Sequence, residues 1–411
     1  MNSDLITGID IGTSKVAVTI GQYSAGGESL ELLGVGKEPA EGIDRGKVAN
    51  SDLASRSIGK TVQNAQEMAA TNVQSVNVSV TGLDFAYLES SGTISRARNS
   101  DHISFQDIKR AIEVSTELET DPSRTVLCKF PTEFTVDGQT GISNPLGMEG
   151  RRIDTDLTVI TAPVNAIRNL YQCLDGISLD VNLMLPSPLP THWSTVGELE
   201  HRQGTVLVDV GGEVTEVSVL QGGQLLHSAN VPLGGVHLTK DLSAGLNLSF
   251  PEAEYLKKRE GVSGLSEPPG VAPEDYVSIE GPEGKDIDVS REKMTRIMRL
   301  RLEEIFDLAL EKVRSQAHAE TIQGMILTGG CSELPGLGEF VAANYPVKVR
   351  KGRTISGITG LTDILQNPVY ATSLGLLKSA SEFPFGVAEW GDWGTELQSK
   401  GMMERLKDLL K

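Results

Sequence analysis

Asp10, Gly12, Thr13, Ser14 and Lys15 fall in one short run, Asp10-Ile11-Gly12-Thr13-Ser14-Lys15, between two apolar stretches. Backbone N–H groups that converge in a tight turn form a small cavity for phosphate, and glycine lets the chain approach the ligand closely. The hydroxyls and the lysine suit the outer phosphates. Asp209-Val210-Gly211-Gly212 offers the same parts again. Asp10 and Asp209, each closing a strand, suit a Mg²⁺ ion held through water, because this small cation keeps several waters in octahedral geometry. Either turn alone reads as an ordinary β-hairpin. The two together read differently, because Asp10 and Asp209 lie 199 positions apart, as do Gly12 and Gly211, Val18 and Val217, and Ile20 and Val219. Phosphates clamped between two related halves are the chemistry this pairing predicts.

Two further runs suit the same ligand. Leu327-Thr328-Gly329-Gly330, completed by Gly336, follows a buried strand and lets a nucleoside base lie against bare backbone; it also suits a plain strand-to-helix turn. Glu254 and Lys257 stand three residues apart on one helical face, where they could address ribose hydroxyls and the base, or form a solvated ion pair.

The elements that must hold these residues follow from periodicity. Leu5 to Asp10 and Val16 to Ile20 read as a hairpin, and residues 205 to 220 repeat the design, so the chain is an α/β protein of two duplicated halves of about 200 residues. Between the hairpins come a helix over 54–70, a strand over 73–81, an inserted unit over 84–162 with a helix from Ser104 to Glu119 and short strands, and a helix over 163–174. A connecting segment bearing Pro186, Pro188 and Pro190 leads to the second hairpin. After it the pattern predicts helices over 251–259 and 291–316, a Gly/Pro-rich loop over 261–284 and a strand over 325–328, the body closing near Leu377.

With 39% hydrophobic and 22% charged residues the 411-residue chain has the composition of a soluble globular protein of two or three domains. A net charge of -18 disfavours non-specific nucleic-acid binding and sets the body against anionic lipid. The N-terminus lacks the features of a secretory signal, no apolar run approaches the ~18 residues that span a bilayer, and Cys128, Cys173 and Cys331 are isolated. A cytoplasmic protein is expected.

The tail departs from the body. Residues 379–400 turn small, acidic and aromatic, with Trp390 and Trp393, as suits a flexible linker. Residues 401–411, GMMERLKDLLK, then place Met402, Met403, Leu406, Leu409 and Leu410 on one helical face and Glu404, Arg405, Lys407, Asp408 and Lys411 on the other. With Lys400 the segment carries net positive charge, the pattern of a helix lying in a membrane surface; a helix packed back on its own body is the alternative. Burying the five side chains yields at most ~10 kcal/mol, and ordering the helix costs a comparable amount. Attachment by one copy is therefore marginal, and a polymer presenting many copies binds through avidity.

Two phosphate hairpins, a Gly-Gly turn and an Ala-Glu-x-x-Lys helix resemble the superfamily of actin, sugar kinases and heat-shock ATPases. Within it, GIDIGTSKV (8–16), EGIDRGKV (41–48), GISNPLGMEGRR (141–152), MILTGGCSELPGL (325–337) and GITGLTDILQNPVYATSLGLL (357–377) resemble the FtsA family of bacterial cell division, from about residue 4 to 379 and again at the tail. The resemblance implies an actin-like bilobed fold: subdomain 1A over 1–83 with 345–378 returning to it, the family's relocated subdomain 1C over 84–162, used in self-association, 2A over 163–229 and 318–344, and 2B over 230–317. It implies ATP with Mg²⁺, actin-like filaments, and a place at the cytoplasmic face of the inner membrane at mid-cell among other division proteins. The expected partner is the tubulin-like protein FtsZ, through its C-terminal peptide. Arg301, in a cluster with Arg296 and Arg299, matches the family's partner-binding arginine, while a solvated helix face explains the cluster equally well.

The chain departs from the family pattern at Glu213, where a glycine is usual, and at Glu216, where an aspartate is usual. A carboxylate ~4 Å from a triphosphate would repel it by about 1 kcal/mol or more. No general base for water is evident, so no catalytic residue is assigned and at most a slow ATPase is expected. Two other functions fit the fold, a pilus-assembly scaffold that binds a membrane-protein peptide and a small-molecule kinase.

Overall fold

Both halves are built on one plan, and that plan puts the two glycine turns at equivalent strand ends. The computed structural model describes residues 5–24, 29–96, 102–114, 121–197, 199–200, 204–221, 224–262, 276–280, 286–314, 322–355, 357–382 and 387–388. In the first half, strands β1 (Leu5–Ile11), β2 (Lys15–Tyr23) and β3 (Leu30–Pro39) form an antiparallel meander, with Asp10 opposite Ala17. A small hairpin, β4 (Ile43–Asp44) and β5 (Lys47–Val48), leads to helix α1 (Ser51–Ala69). Asn50 caps α1 by accepting from Leu53 N at 3.0 Å, and the helix buries Ala54, Ile58, Val62 and Ala65 on the sheet. Gly36 lets them meet closely, since a Cβ there would stand 2.1 Å from the Thr61 carbonyl oxygen. Strand β6 (Ser75–Val80) then lies parallel to β1.

The inserted unit is a separate sheet with its own core. Strands β7 (Ala86–Ser95), β8 (Arg124–Val136), β9 (Gln139–Ile142) and β10 (Arg152–Pro163) pair with β10 between β7 and β8, and helix α2 (Phe105–Val114) covers them. Ile94, Ile108, Ile112, Phe134 and Ile153 are buried together there. The strands are longer than the sequence suggested, and the described helix stops at Val114, residues 115–119 lying outside the described set. Helix α3 (Val164–Asp175) and strand β11 (Asp180–Pro186), parallel to β6, return the chain to the first sheet.

The proline-rich connection is a helix, α4 (Pro188–Thr195), every residue of which is buried. Pro188 and Pro190 lie in its first turn, where the missing N–H has no helical partner to lose.

The second half repeats the meander as β12 (Thr205–Val210), β13 (Thr215–Gln221) and β14 (Gln224–Val231). Helices α5 (Gly235–Leu246) and α6 (Phe250–Glu260), the hairpin β15 (Tyr276–Glu280) and β16 (Asp286–Ser290), and the long helix α7 (Arg291–Arg314) follow. Strand β17 (Gly324–Thr328) runs parallel to β12, then a 3₁₀ turn (Gly330–Glu333), helix α8 (Leu337–Asn344) and strand β18 (Lys348–Lys351). The sheets therefore share one strand order: β3-β2-β1-β6-β11 in the first and β14-β13-β12-β17-β18 in the second. The duplication read at two turns extends over the whole topology.

The chain then goes back to the first half. Strand β19 (Ile358–Gly360) adds to β3, and helix α9 (Thr362–Leu365) leads to α10 (Ala371–Leu377), which lies on β1 and β2. The stretch expected to be a linker begins instead with helix α11 (Ser379–Glu382) and strand β20 (Val387–Ala388), the latter paired antiparallel with Cys128 and Lys129 of β8. Backbone pairing with a sheet edge holds a segment whose composition alone predicts none. Trp390, Trp393 and the expected tail helix with Met402, Met403, Leu406, Leu409 and Leu410 lie outside the described residues.

Candidate functional site

Each meander closes its first hairpin with the same hydrogen bond. Gly12 N donates to the Lys15 carbonyl at 3.0 Å, and Gly211 N donates to the Val214 carbonyl at 3.0 Å. The two tips meet: Glu213 N donates to Thr13 Oγ1 at 3.2 Å, and a Cβ on Gly212 would stand 2.5 Å from that of Ser14. Behind them Gly329 has φ +81, and a Cβ there would stand 2.2 Å from Asp209 Oδ1. Only glycine combines this left-handed backbone with such an approach. Around these turns is a cavity of about 500 Å³. All twelve residues assigned above to a nucleotide line it: Asp10, Gly12, Thr13, Ser14, Lys15, Asp209, Gly211, Gly212, Glu254, Lys257, Gly329 and Gly330.

The carboxylates are held differently. Asp10 accepts from Ser79 Oγ at 2.8 Å and faces Lys15 Nζ at 3.6 Å, and Lys15 also donates to the Val369 carbonyl. Asp209 is half-buried in the cavity wall, and its loss of solvation there, opposed by Lys15 and aided by the charge of Asp10, raises its carboxyl to about 6. A cation between the halves would relieve that cost. Among the described residues no group of three or more metal-ligating side chains occurs. Two carboxylates beside two glycine turns would suit a hydrated Mg²⁺ ion that takes its remaining oxygens from water and a bound anion.

Helix α6 starts with a capping box, Ser249 N donating to Glu252 Oε2 at 2.7 Å, which sets its buried face toward α5. Lys257 Nζ donates to the Gly235 carbonyl at 2.9 Å, Thr239 Oγ1 at 2.8 Å and Glu254 Oε2 at 2.6 Å. An ammonium has three protons, so Lys257 is committed to bracing the start of α5. Burial acts to raise the Glu254 carboxyl, but hydrogen bonds from Lys257 and Thr239 outweigh it and hold the group at about 2. Glu254 also pairs with Lys258 at 3.0 Å, whose side chain is 69% exposed at the cavity rim.

Glu213 does not line the cavity. Its carboxylate turns to the β4–β5 hairpin and accepts from Arg45 N at 3.4 Å, so it does not crowd the cavity. Glu216 is 4% exposed and also lies outside the cavity. It accepts from Gly82 N at 3.1 Å and from Ser187 Oγ, joining β13 to the first half and to the residue before α4. Burial, reinforced by the charges of Asp209 and Asp10 and opposed by these hydrogen bonds, raises it to about 8.

The structure adds Lys37, Thr81, Gly235, Val236 and Cys331 to the lining. Gly234-Gly235 was readable as a strand-to-helix glycine turn. Its backbone locks onto the second phosphate turn, Gly235 N donating to the Gly211 carbonyl at 3.0 Å and Val236 N to the Gly212 carbonyl at 2.7 Å. Lys37 and Thr81 enter only through folding, and nothing local marks them. Arg301 stands apart from the cavity: on α7 it grips Asp241 of α5 at 2.6 and 3.1 Å and also pairs with Glu304.

Comparison with known proteins gives this architecture a family. Residues 206–375 match the family Cell division protein FtsA, and residues 84–161 match the SHS2 domain inserted in FTSA. Cell division protein FtsA of Pseudomonas aeruginosa is 31% identical over 374 residues, covering 91% of this chain and 88% of the relative. That of Agrobacterium fabrum is 29% identical over 426 residues, covering 100% and 95%. Among solved structures, a PilM-PilN type IV pilus biogenesis complex aligns with TM-score 0.60 at 18% identity, over 90% of this chain and 97% of the other. MreB5 of Spiroplasma citri bound to AMPPNP aligns with TM-score 0.55 at 12% identity, over 93% and 98%. These likenesses establish an actin-like fold, and the extent of the sequence match is decisive for the rest: the chain belongs to the family of the cell division protein FtsA.

Proposed function

We propose that this chain is an ATP-binding, actin-like polymerising adaptor that ties the FtsZ division ring to the cytoplasmic membrane through residues 401–411. The observation that carries the nucleotide half is the single cavity into which both duplicated turns, the Gly329-Gly330 turn and the Glu254 helix all open. There Gly12, Thr13, Ser14, Gly211 and Gly212 receive the phosphate chain on backbone N–H groups and hydroxyls. Lys15 offsets its charge, and Asp10 and Asp209 hold Mg²⁺ through water, the ion screening phosphate charge when bound. The adenosine lies along Gly329-Gly330, with its ribose toward Glu254. Contacts to both halves make a nucleotide a brace between them, which favours the one relative posture that stacks into a filament. Family membership supports the division role and a place at the division site, with FtsZ and other division proteins as partners.

Membrane attachment rests on the sequence of the tail. Among the described residues no helix is long and apolar enough to cross a membrane; the apolar face and net positive charge of the tail sequence are the pattern of an in-plane helix. The test is co-sedimentation with vesicles containing anionic lipid, with and without ATP and Mg²⁺. The wild-type chain should pellet more strongly with ATP, because polymer multiplies a marginal anchor. Leu406→Glu with Leu410→Glu should abolish pelleting while leaving nucleotide binding intact. Equal pelleting of wild type and double variant would defeat the anchor, and equal pelleting with and without nucleotide would defeat the coupling to assembly.

A further inference from the structure

After α10 the chain crosses to the inserted unit, where Val387 pairs with Lys129 and Ala388 with Cys128 on the edge of β8. The same two residues lie beside β11, the edge strand of the first sheet. Strand β20 thus spans the seam between the two sheets, where β8 also lies beside β11. Beneath the seam Cys128 and Ile160 of the inserted sheet are buried with Leu183 and Leu185 of β11. An edge strand is a template for an added strand. Here one edge of β8 is taken by β10, and the other is shared by β9, at Phe134 and Val136, and the chain's own C-terminal segment, at Cys128 and Lys129.

We propose that β20 is a strap: the chain's own segment around Val387 and Ala388 occupies a strand-addition site on β8, locks the inserted unit against β11, and makes that seam the point from which the tail leaves the molecule. The membrane consequence rests on the reading of the tail as an anchor, whereas the docking itself does not. From Ala388 to Gly401 the chain spans roughly 13 residues and reaches at most about 45 Å, against about 80 Å for a tail free from Leu377 onward. With the strap in place the anchor is held on a short tether from the inserted unit, and a load on the tail is felt by that unit before the nucleotide body. Among the described residues two residue pairs hold the strap.

The register offers a direct test, because position 388 stands opposite a native cysteine. The full chain bearing Ala388→Cys, oxidised with diamide, should form a disulfide with Cys128 within one chain: a monomeric species of altered non-reducing mobility, reversed by reductant and lost when Cys128→Ala is added. A disulfide-linked dimer would assign the slot to a neighbouring copy and overturn the proposal. Since Cys128 is buried and its thiol is raised well above the usual range by that burial, hydrogen exchange supplies an independent measurement. Val387→Pro with Ala388→Pro removes both strap N–H groups, and the β8 amide that faces the strap should exchange at least about tenfold faster than in wild type. Unchanged exchange across residues 127–130 would overturn the strap whatever the cross-link shows. Vesicle pelleting of the proline variant separates the readings: retained pelleting with faster exchange keeps both anchor and strap.

Discussion

At Gly329 a methyl group would stand 2.2 Å from Asp209 Oδ1, whereas at Gly330 it would meet no protein atom within 4 Å. The two neighbours therefore make a controlled pair. Gly329→Ala should weaken ATP affinity at least about tenfold by displacing the Asp209 carboxylate, while any loss in Gly330→Ala reports the approach of the ligand itself. Titration calorimetry with Mg²⁺ and ATP, beside thermal melts, checks this, and equal affinities in Gly329→Ala and wild type would contradict the geometry. Glu216 supplies a second prediction. Its carboxyl rests at about 8 in the folded chain, above the ordinary value of about 4.5, so the folded protein keeps a proton that the unfolded chain releases. Stability then falls as pH rises from about 4.5 to 8. Glu216→Gln removes this slope, so the variant should gain on wild type, by a few kcal/mol at most, as urea midpoints are followed from pH 5 to 8. Parallel midpoints would show that Glu216 is ionised at neutral pH. Glu213 illustrates what sequence reading lacks: residue type exposed a possible clash with phosphate, but only the hairpin at Arg45 reveals which way the side chain turns.

Among the elements, α4 and α10 show how two helices come to share one buried space. Gly375 of α10 lies against Pro190 of α4 so closely that a Cβ would stand 1.6 Å from its carbonyl oxygen. Relief requires backbone movement, because both partners are main chain. Gly375→Val should cost about 1–3 kcal/mol or more, read as a lowered melting temperature, and a neutral result would mean that the helices can part freely. The hairpins, α1, α6 and α7 were legible because each carries one uninterrupted period of apolar residues and ordinary caps. Helix α4 was not, since its prolines look like breakers unless their place in the first turn is known. Strand β20 was not legible either, because two residues carry no period and their pairing partner lies some 260 positions away. Ten of the twelve cavity residues named from the sequence were legible because their pattern is local to turns and strand ends, and Glu254 and Lys257 were legible from their spacing on one helical face. Lys37 and Thr81 were hidden because their roles arise from folding alone.

For the whole molecule, duplication gives two sheets of one strand order facing across a shared cavity. The contacts Thr13 to Glu213, Gly82 to Glu216 and Leu83 to Asn230 tie them edge to edge. The halves are not equal in chain order, however. The second sheet is complete within residues 205–351, whereas the first takes its outermost strand, β19, from residues 358–360 and its covering helix from 371–377. Thr19 donates to the Ser373 carbonyl at 2.8 Å and Asn77 to Ser379 Oγ at 2.8 Å, so β2 and β6 stay incompletely covered until that segment arrives. On a ribosome adding ~5–20 residues each second, the half translated first is the half that finishes last. Nascent chains stalled with residue 351 outside the exit tunnel should resist protease over 205–351 and be cut within 5–80. Chains stalled with residue 382 exposed should resist throughout. Early protection of residues 5–80 would refute that order. The return of α10 to the first sheet thus makes the N-terminal half the part of the chain that waits longest for its last partner.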